Sequence, residues 1–270
     1  MNPVFFEFGG FQIKWYSILL LVGVGLGILL FMSEGKKHGY KSDFLFNLCF
    51  WTVIFAFLGA RFYYVLFNWN IYAKDPISIF KIWEGGLAIH GGIIGGFLTI
   101  LYYCHKYHVK MTKIIDYVVP SILLGQAIGR WGNYFNQEAH GGVVSKSVLQ
   151  SYHLPDFVIE GMNINGVYYH PTFFYESMWC LIGLIIVLLI RHYKYLKSGT
   201  LACFYLIWYS IGRFFIESMR TDSLMLGGFK VAQLVSCILF LVGLFGIMIL
   251  SRKGKFEDLY SEPIREDIRY

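Results

Sequence analysis

The chain has 270 residues, 56% of them hydrophobic and 15% charged, with a formal net charge of +6. An ordinary soluble domain carries roughly 25% charged residues, so this composition argues against a water-soluble globule. The excess cations sit in loops flanking apolar stretches, which topology explains, so the charge gives no support for nucleic-acid binding.

Apolar stretches run at about 15–32, 44–67, 87–104, 114–135, 172–190, 201–219 and 230–250. Most approach the roughly 20 residues that a helix needs to cross about 30 Å of hydrocarbon. They predict an all-α polytopic membrane protein of about seven transmembrane helices. The first stretch has no basic n-region and no A-x-A-like cleavage site, and its positive charge follows the apolar run, so it is expected to stay attached. Lys36, Lys37 and Lys41 follow the first stretch, Lys106, Lys110 and Lys113 the third, Arg191, Lys194 and Lys197 the fifth, and Arg252, Lys253 and Lys255 the seventh. Every second connection is therefore basic, which places the N-terminus outside and the C-terminus in the cytoplasm. The fourth and sixth stretches each hold an arginine, costly at a helix centre, but dropping either spoils this alternation.

Residues 1–250 read as one transmembrane helical domain, in which the long outer connection 136–171 forms an extracytoplasmic loop subdomain. Within it, Phe157-Val158-Ile159 and Val167-Tyr168-Tyr169 flank Asn165-Gly166, a pair suited to a type I′ hairpin, so a small β element is expected there. The tail 251–270 mixes both charge signs without helical periodicity and reads as a solvated, poorly ordered cytoplasmic terminus. Cys49, Cys104, Cys180, Cys203 and Cys237 lie in or beside apolar spans without metal-ligand spacing and read as small buried side chains. Neither H-E-x-x-H nor a Cys/His cluster occurs, so no metal is expected.

Ionisable residues gather in one half of the predicted bilayer. If the sixth helix enters near Leu201, Arg213 lies about 18 Å along a core of roughly 30 Å, with Glu217 a turn further out. Arg130 and Asn133 occupy the matching part of the fourth helix and Arg61 the outward end of the second. Tyr16, His90, His170, Tyr175 and Glu176 open helices that run inward. Intramembrane ionisable groups face a bundle interior or cavity and mark functional sites by default. Each also has a plainer reading. Arg213 and Glu217 at i, i+4 can simply pair, Arg61 can snorkel, and Tyr16 and Tyr64 can belong to an aromatic belt. The glycines around Arg130 and the overlapping G-x-x-x-G faces after His90 suit close helix packing. A guanidinium suits phosphate because its planar fork keeps its charge and offers fixed donors. An imidazole titrates near neutrality and suits proton transfer, although an interfacial histidine is also a common structural hydrogen-bonding group.

The segment Gly129-Arg-Trp-Gly-Asn-Tyr-Phe-Asn-Gln-Glu138, followed by Gly141, resembles the signature of the bacterial prolipoprotein diacylglyceryl transferases. Matching pieces follow the family's order: Trp15-Tyr16, Gly59-Ala-Arg61 with Tyr64, Gly85-Gly-Leu-Ala-Ile-His90-Gly-Gly92, His170-Pro-Thr-Phe-Phe-Tyr-Glu176, and Gly212-Arg213-Phe-Phe-Ile-Glu217 with Arg220 and Asp222. The resemblance implies transfer of the diacylglyceryl group of phosphatidylglycerol to the lipobox cysteine of a prolipoprotein signal peptide, forming a thioether and releasing glycerol phosphate. It implies no cofactor, and a place in the bacterial cytoplasmic membrane with the site towards the outer leaflet. The family's important residues fall on Tyr16, His90, Arg130, Asn133, Glu138, Gly141, Arg213 and Glu217. Asn68 stands where many members have tyrosine, and Phe173 where some carry a polar residue.

The chemistry suits these residue types. Arg130 and Arg213 are expected to stabilise the phosphate charge, and His90 to take the thiol proton. Tyr16, Arg61, Asn133, Glu138, Gly141 and Glu217 are expected to bind or orient the substrate. The rival class is an anion or lipid transporter with an outward-facing arginine site, for which internal repeats and a midplane site are the usual marks. A lipid-scaffolding protein is a third reading, and it would tolerate neutral residues at Arg130 and Arg213.

Overall fold

The computed structural model describes residues 2–9, 11–82, 85–252 and 259–262. They divide into two compact units, one of Met1–Phe31 with Ile115–Glu262, the other built on Met32–Ile114. Long helices occur at all seven apolar stretches: α1 (Trp15–Lys37), α2 (Ser42–Phe67), α4 (Ile89–Lys106), α5 (Met111–Asn136), α8 (Thr172–Ile190), α9 (Thr200–Met219) and α10 (Val231–Arg252). Among the described residues, α1, α2, α5, α8 and α10 are long and apolar enough to cross a membrane, so the chain is a multi-pass membrane protein in character. The fourth stretch, α5, stands in that set despite Arg130. The third and sixth, α4 and α9, do not, because polar residues open and close α4 and α9 carries Arg213 and Glu217.

In the 32–114 unit, α2 and α4 meet backbone to backbone. A Cβ on Gly95 would lie 2.2 Å from the Phe55 carbonyl oxygen and one on Gly59 2.5 Å from that of Gly91, so glycine is required for this approach. The G-x-x-x-G run thus packs α4 on α2. Between them come α3 (Trp69–Tyr72) and a 3-10 turn over Pro76–Phe80. The side-chain amide of Asn68 donates to the Tyr64 carbonyl at 2.9 Å, closing the C-terminus of α2.

The other unit opens with a hairpin that the sequence reading did not anticipate, β1 (Val4–Phe8) paired with β2 (Phe11–Lys14), which runs directly into α1. Helix α1 lies against α5, where the Ser121 hydroxyl donates to the Gly27 carbonyl at 2.6 Å. Helices α8 and α9 are joined by two tryptophans stacked at 4.2 Å, each indole N–H donating to the other's carbonyl at 2.9 and 3.0 Å. Gly183 and Gly212 make the room, since a Cβ at either would come within 2.4 Å of an indole nitrogen. The first turn of α9 is capped from α5, Asp116 accepting the Gly199 and Ala202 amides at 2.6 and 2.8 Å. These are the N–H groups that a helix start leaves unpaired.

The long connection 136–171 holds the expected β element, reduced to β3 (Asn163–Ile164) and β4 (Val167–Tyr168), with φ of 53° at Asn165 and 84° at Gly166. Two short helices precede it, α6 (Lys146–Ser151) and α7 (Asp156–Gly161). Phe157-Val158-Ile159 is therefore helical. Pro155 just before the helix and Asp156 in its first turn favour that start, and Val158 and Ile159 are buried. A last hairpin, β5 (Met225–Leu226) with β6 (Phe229–Lys230), leads into α10. The tail 251–270 lies largely outside the described residues. Where it is described it corrects the expectation of a solvated terminus: Tyr260 is buried edge-on against Tyr117, and its amide donates to the Leu196 carbonyl at 2.7 Å.

Candidate active site

Three helices of the larger unit are fastened together beside the charged residues. The Ser177 hydroxyl of α8 donates to the Ala127 carbonyl of α5 at 2.9 Å, and the Gln126 amide of α5 donates to the Tyr205 hydroxyl of α9 at 2.8 Å. Arg130 follows Gln126 by four residues and Arg213 follows Tyr205 by eight, so the helical repeat carries both cations on the faces already joined. Glu176 precedes Ser177 on α8. Its Oε1 stands 2.5 Å from Arg130 Nη2 and its Oε2 3.6 Å from Arg213 Nη1, while Arg213 Nη2 reaches Glu217 Oε2 at 2.7 Å.

This quartet is nearly enclosed, with side-chain exposures of 23% for Arg130, 17% for Arg213, 6% for Glu176 and 4% for Glu217. Two cations and two carboxylates balance, as groups withdrawn from water require. The pairing is by charge more than by alignment. Glu176 Oε1, Glu217 Oε2 and Arg213 Nη1 are buried and make no aligned hydrogen bond among the described residues. Buried donors ordinarily have acceptors, and an oxyanion is the acceptor that a guanidinium fork fits best.

Around the quartet, Tyr16 lies on Gly132, where a Cβ would come 2.3 Å from its ring, so the glycine of the Trp-Gly-Asn run seats Tyr16 on α5. The Asn133 side chain makes no hydrogen bond among the described residues, and a Cβ on Gly129 would meet nothing within 4 Å. Gly141 acts through its backbone. Its amide donates to the His170 carbonyl at 2.9 Å, it bridges to Arg220, and a Cβ there would come 2.7 Å from His170 Cβ. It is a junction between the loop and the ends of α8 and α9, where a substrate contact was expected. Glu138 is exposed and accepts from the Asn136 side-chain amide at 3.0 Å. Phe173 is buried in an apolar cluster with Tyr134, Val158 and Met162.

The C-terminus of α9 and the segments beside the start of α8 are held by polar contacts. Lys230 donates to the Glu217 and Arg220 carbonyls, both at 2.7 Å, and so closes the C-terminus of α9. Arg220 forks onto Asp222 at 2.9 and 2.8 Å, and these hydrogen bonds hold the Asp222 carboxyl below its usual range. His170 lies with Nδ1 3.4 Å from the Tyr175 hydroxyl, and burial lowers its pKa.

Two expected site residues belong to the 32–114 unit. His90 is exposed in the first turn of α4, its ring 6.0 Å from that of Tyr63. Arg61 is buried, and loop carbonyls take up its guanidinium. Nε donates to Ile79 at 2.9 Å, Nη1 to Gly85 and Gly86 at 2.7 and 3.0 Å, and Nη2 to Ser78 at 2.7 Å. The Tyr72 ring lies 5.2 Å from its Cζ. Arg61 thus organises the connection that leads into α4.

The residue that the sequence reading undervalued is Glu176. Its position near the start of an apolar helix is legible in the sequence, but its bridging of two arginines on other helices is tertiary. The sign available was the charge itself: two intramembrane arginines call for more than one carboxylate.

Residues 3–249 match the model of a family described as prolipoprotein diacylglyceryl transferase. A protein of Staphylococcus saprophyticus named phosphatidylglycerol–prolipoprotein diacylglyceryl transferase is 48% identical over 258 residues, covering 95% of this chain and 91% of the relative. Relatives of the same name are 50% identical in Staphylococcus xylosus, over 93% of this chain and 90% of theirs, and 46% identical in Bacillus velezensis, over 97% of both.

Proposed function

The chain belongs to the prolipoprotein diacylglyceryl transferase family, and on that footing we propose that it works through the Arg130–Glu176–Arg213–Glu217 quartet. It is a transferase that moves the diacylglyceryl group of phosphatidylglycerol to prolipoprotein, the first step of lipoprotein maturation. The transporter reading has no support from relatives that match over nearly the whole chain.

In the proposed reaction, the lipobox cysteine gives up its thiol proton and the sulfur bonds to the glyceryl carbon that carried the phosphate. The C–O bond breaks, its electron pair goes to the phosphate oxygen, and glycerol phosphate leaves. Arg130 and Arg213 hold the phosphate as that charge develops, Glu176 and Glu217 hold the arginines, and His90 accepts the proton. Tyr16 and Asn133 orient the headgroup. Arg61, Glu138 and Gly141 shape the connections around the substrate. The chain crosses the bacterial cytoplasmic membrane seven times with its N-terminus outside, so the quartet serves the outer leaflet. The basic connections after alternate apolar stretches support this orientation.

The observation that carries the reading is the convergence of two guanidinium groups from α5 and α9 on one buried carboxylate. The test is reconstitution with labelled phosphatidylglycerol and a lipobox peptide, followed by mass detection of the thioether-linked product. A folded protein that yields no product would sink the reading.

A further inference from the structure

The contact between α2 and α4 leaves a concave surface that has no part in the reaction proposed above. Gly59 and Gly95 bring the helices together on bare backbone, which forms the floor of a groove of about 850 Å³. Trp51, Phe55 and Leu58 of α2 wall one side and Leu98 and Tyr102 of α4 the other, and all five are exposed. Thr99 also lines it, but its hydroxyl donates to the Gly95 carbonyl of its own helix at 2.8 Å, so it presents no unsatisfied polar group. Ligand sites are typically about 300–1,000 Å³, mainly apolar, with a few placed polar groups. This groove has one at its end, Lys106 in the last turn of α4. Its ammonium lies 5.9 and 5.2 Å from the Tyr102 and Tyr107 ring centres, and no carboxylate pairs with it among the described residues.

An apolar channel ending in a lone ammonium has the shape and charge of a phospholipid read from chain to headgroup. The groove is continuous with α2, a helix apolar enough to cross the membrane, so bilayer lipid is what meets it. We infer that the groove binds one acyl chain of an anionic phospholipid whose phosphate pairs with Lys106. Zwitterionic lipid fits the channel equally but gains less at the cation, and basic residues beside a membrane span select anionic headgroups for this reason. With the orientation proposed above, the lipid comes from the cytoplasmic leaflet. The binding itself does not depend on that reading or on the reaction.

The test is lipid retention by the full-length protein in nanodiscs of equal phosphatidylserine and phosphatidylcholine, read by native mass spectrometry after release. Arg130 and Arg213 are unchanged in every variant, so lipid held there is common to all and cancels. Lys106→Gln is expected to lower phosphatidylserine retention at least threefold, to the phosphatidylcholine level. Leu98→Trp, which fills the channel, is expected to lower both, and Lys36→Gln, which removes a similar charge outside the groove, to change neither. Diacylglyceryl transfer is expected to stay within twofold of the parent in all three. Unchanged retention in Lys106→Gln and Leu98→Trp overturns the site. An equal loss in Lys36→Gln and Lys106→Gln overturns it too, because a general surface-charge effect then suffices. Neither result touches the transferase reading, which is scored by product.

Discussion

Glu176 Oε1 stands 2.5 Å from Arg130 Nη2, and the same carboxylate extends its other oxygen to within 3.6 Å of Arg213. One buried acid thus fixes the separation of two cations carried by different helices. Glu176→Gln keeps the size but removes the charge that holds both forks, so turnover should fall on the order of 100-fold, comparable to losing one transition-state donor. Thioether product formed by purified protein is the readout. Wild-type turnover in Glu176→Gln would show that the arginines hold their places without it.

Arg130→Lys separates charge from geometry. A lysine is a point charge, whereas the guanidinium offers paired, planar donors. Product formation should drop about 100-fold with membrane insertion unchanged. Activity close to wild type would mean that a cation suffices at this position and would remove the bidentate phosphate role.

Arg61 should behave in the opposite way, as a stability residue. Lysine at 61 cannot reach the Ser78, Ile79, Gly85 and Gly86 carbonyls together. Hydrogen bonds to charged groups contribute about 1.5–3 kcal/mol each, so Arg61→Lys should lower the melting temperature and open the 76–86 connection to protease. A raised KM for phosphatidylglycerol with an unchanged melting temperature would instead return Arg61 to the substrate.

The helices and the two central arginines were legible in the sequence, because apolar length and intramembrane charge are local properties. What escaped depended on which side chains meet. Arg61 looked like an anion-binding cation because nothing in its neighbourhood announces that the chain returns 17 to 25 residues later to place carbonyls around it. Gly141 looked like a ligand contact, yet its small size serves the junction with His170. The first hairpin has a sequence signal too: two glycines separate the short strand-like runs Val4–Phe8 and Phe11–Lys14. Tyr260 was hidden in a charged tail, and only the folded chain sets it against Tyr117.

His170 gives the 136–171 connection an acid sensitivity. Burial lowers its pKa, so the folded protein favours the neutral ring. The unfolded chain, with a pKa near 6.5, then binds more protons as pH falls below that value. Stability from this group is complete above about pH 6.5 and is lost as pH falls towards the lower folded value. Protection factors over 141–172, taken relative to the intrinsic exchange rate at each pH, should therefore fall as pH drops below about 6.5. His170→Asn should flatten that dependence, and an unaltered profile would place the sensitivity elsewhere.

Glycines of one sequence type should respond differently to alanine, according to what faces them. At Gly95 a Cβ would lie 2.2 Å from the Phe55 carbonyl oxygen, part of a helix backbone that cannot turn aside. Overpacking of this kind costs about 1–3 kcal/mol or more, so Gly95→Ala should reduce the yield of folded protein. At Gly132 the neighbour is the Tyr16 ring, at 2.3 Å. Tyr16 is 41% exposed and free to swing, so Gly132→Ala should fold yet lose activity through a displaced hydroxyl. Gly129 faces nothing within 4 Å, and its alanine variant should fold as well as the parent. Fluorescence-detected gel filtration ranks folding and the thioether assay ranks activity. Equal folding of Gly95→Ala and Gly129→Ala would contradict the backbone contact between α2 and α4.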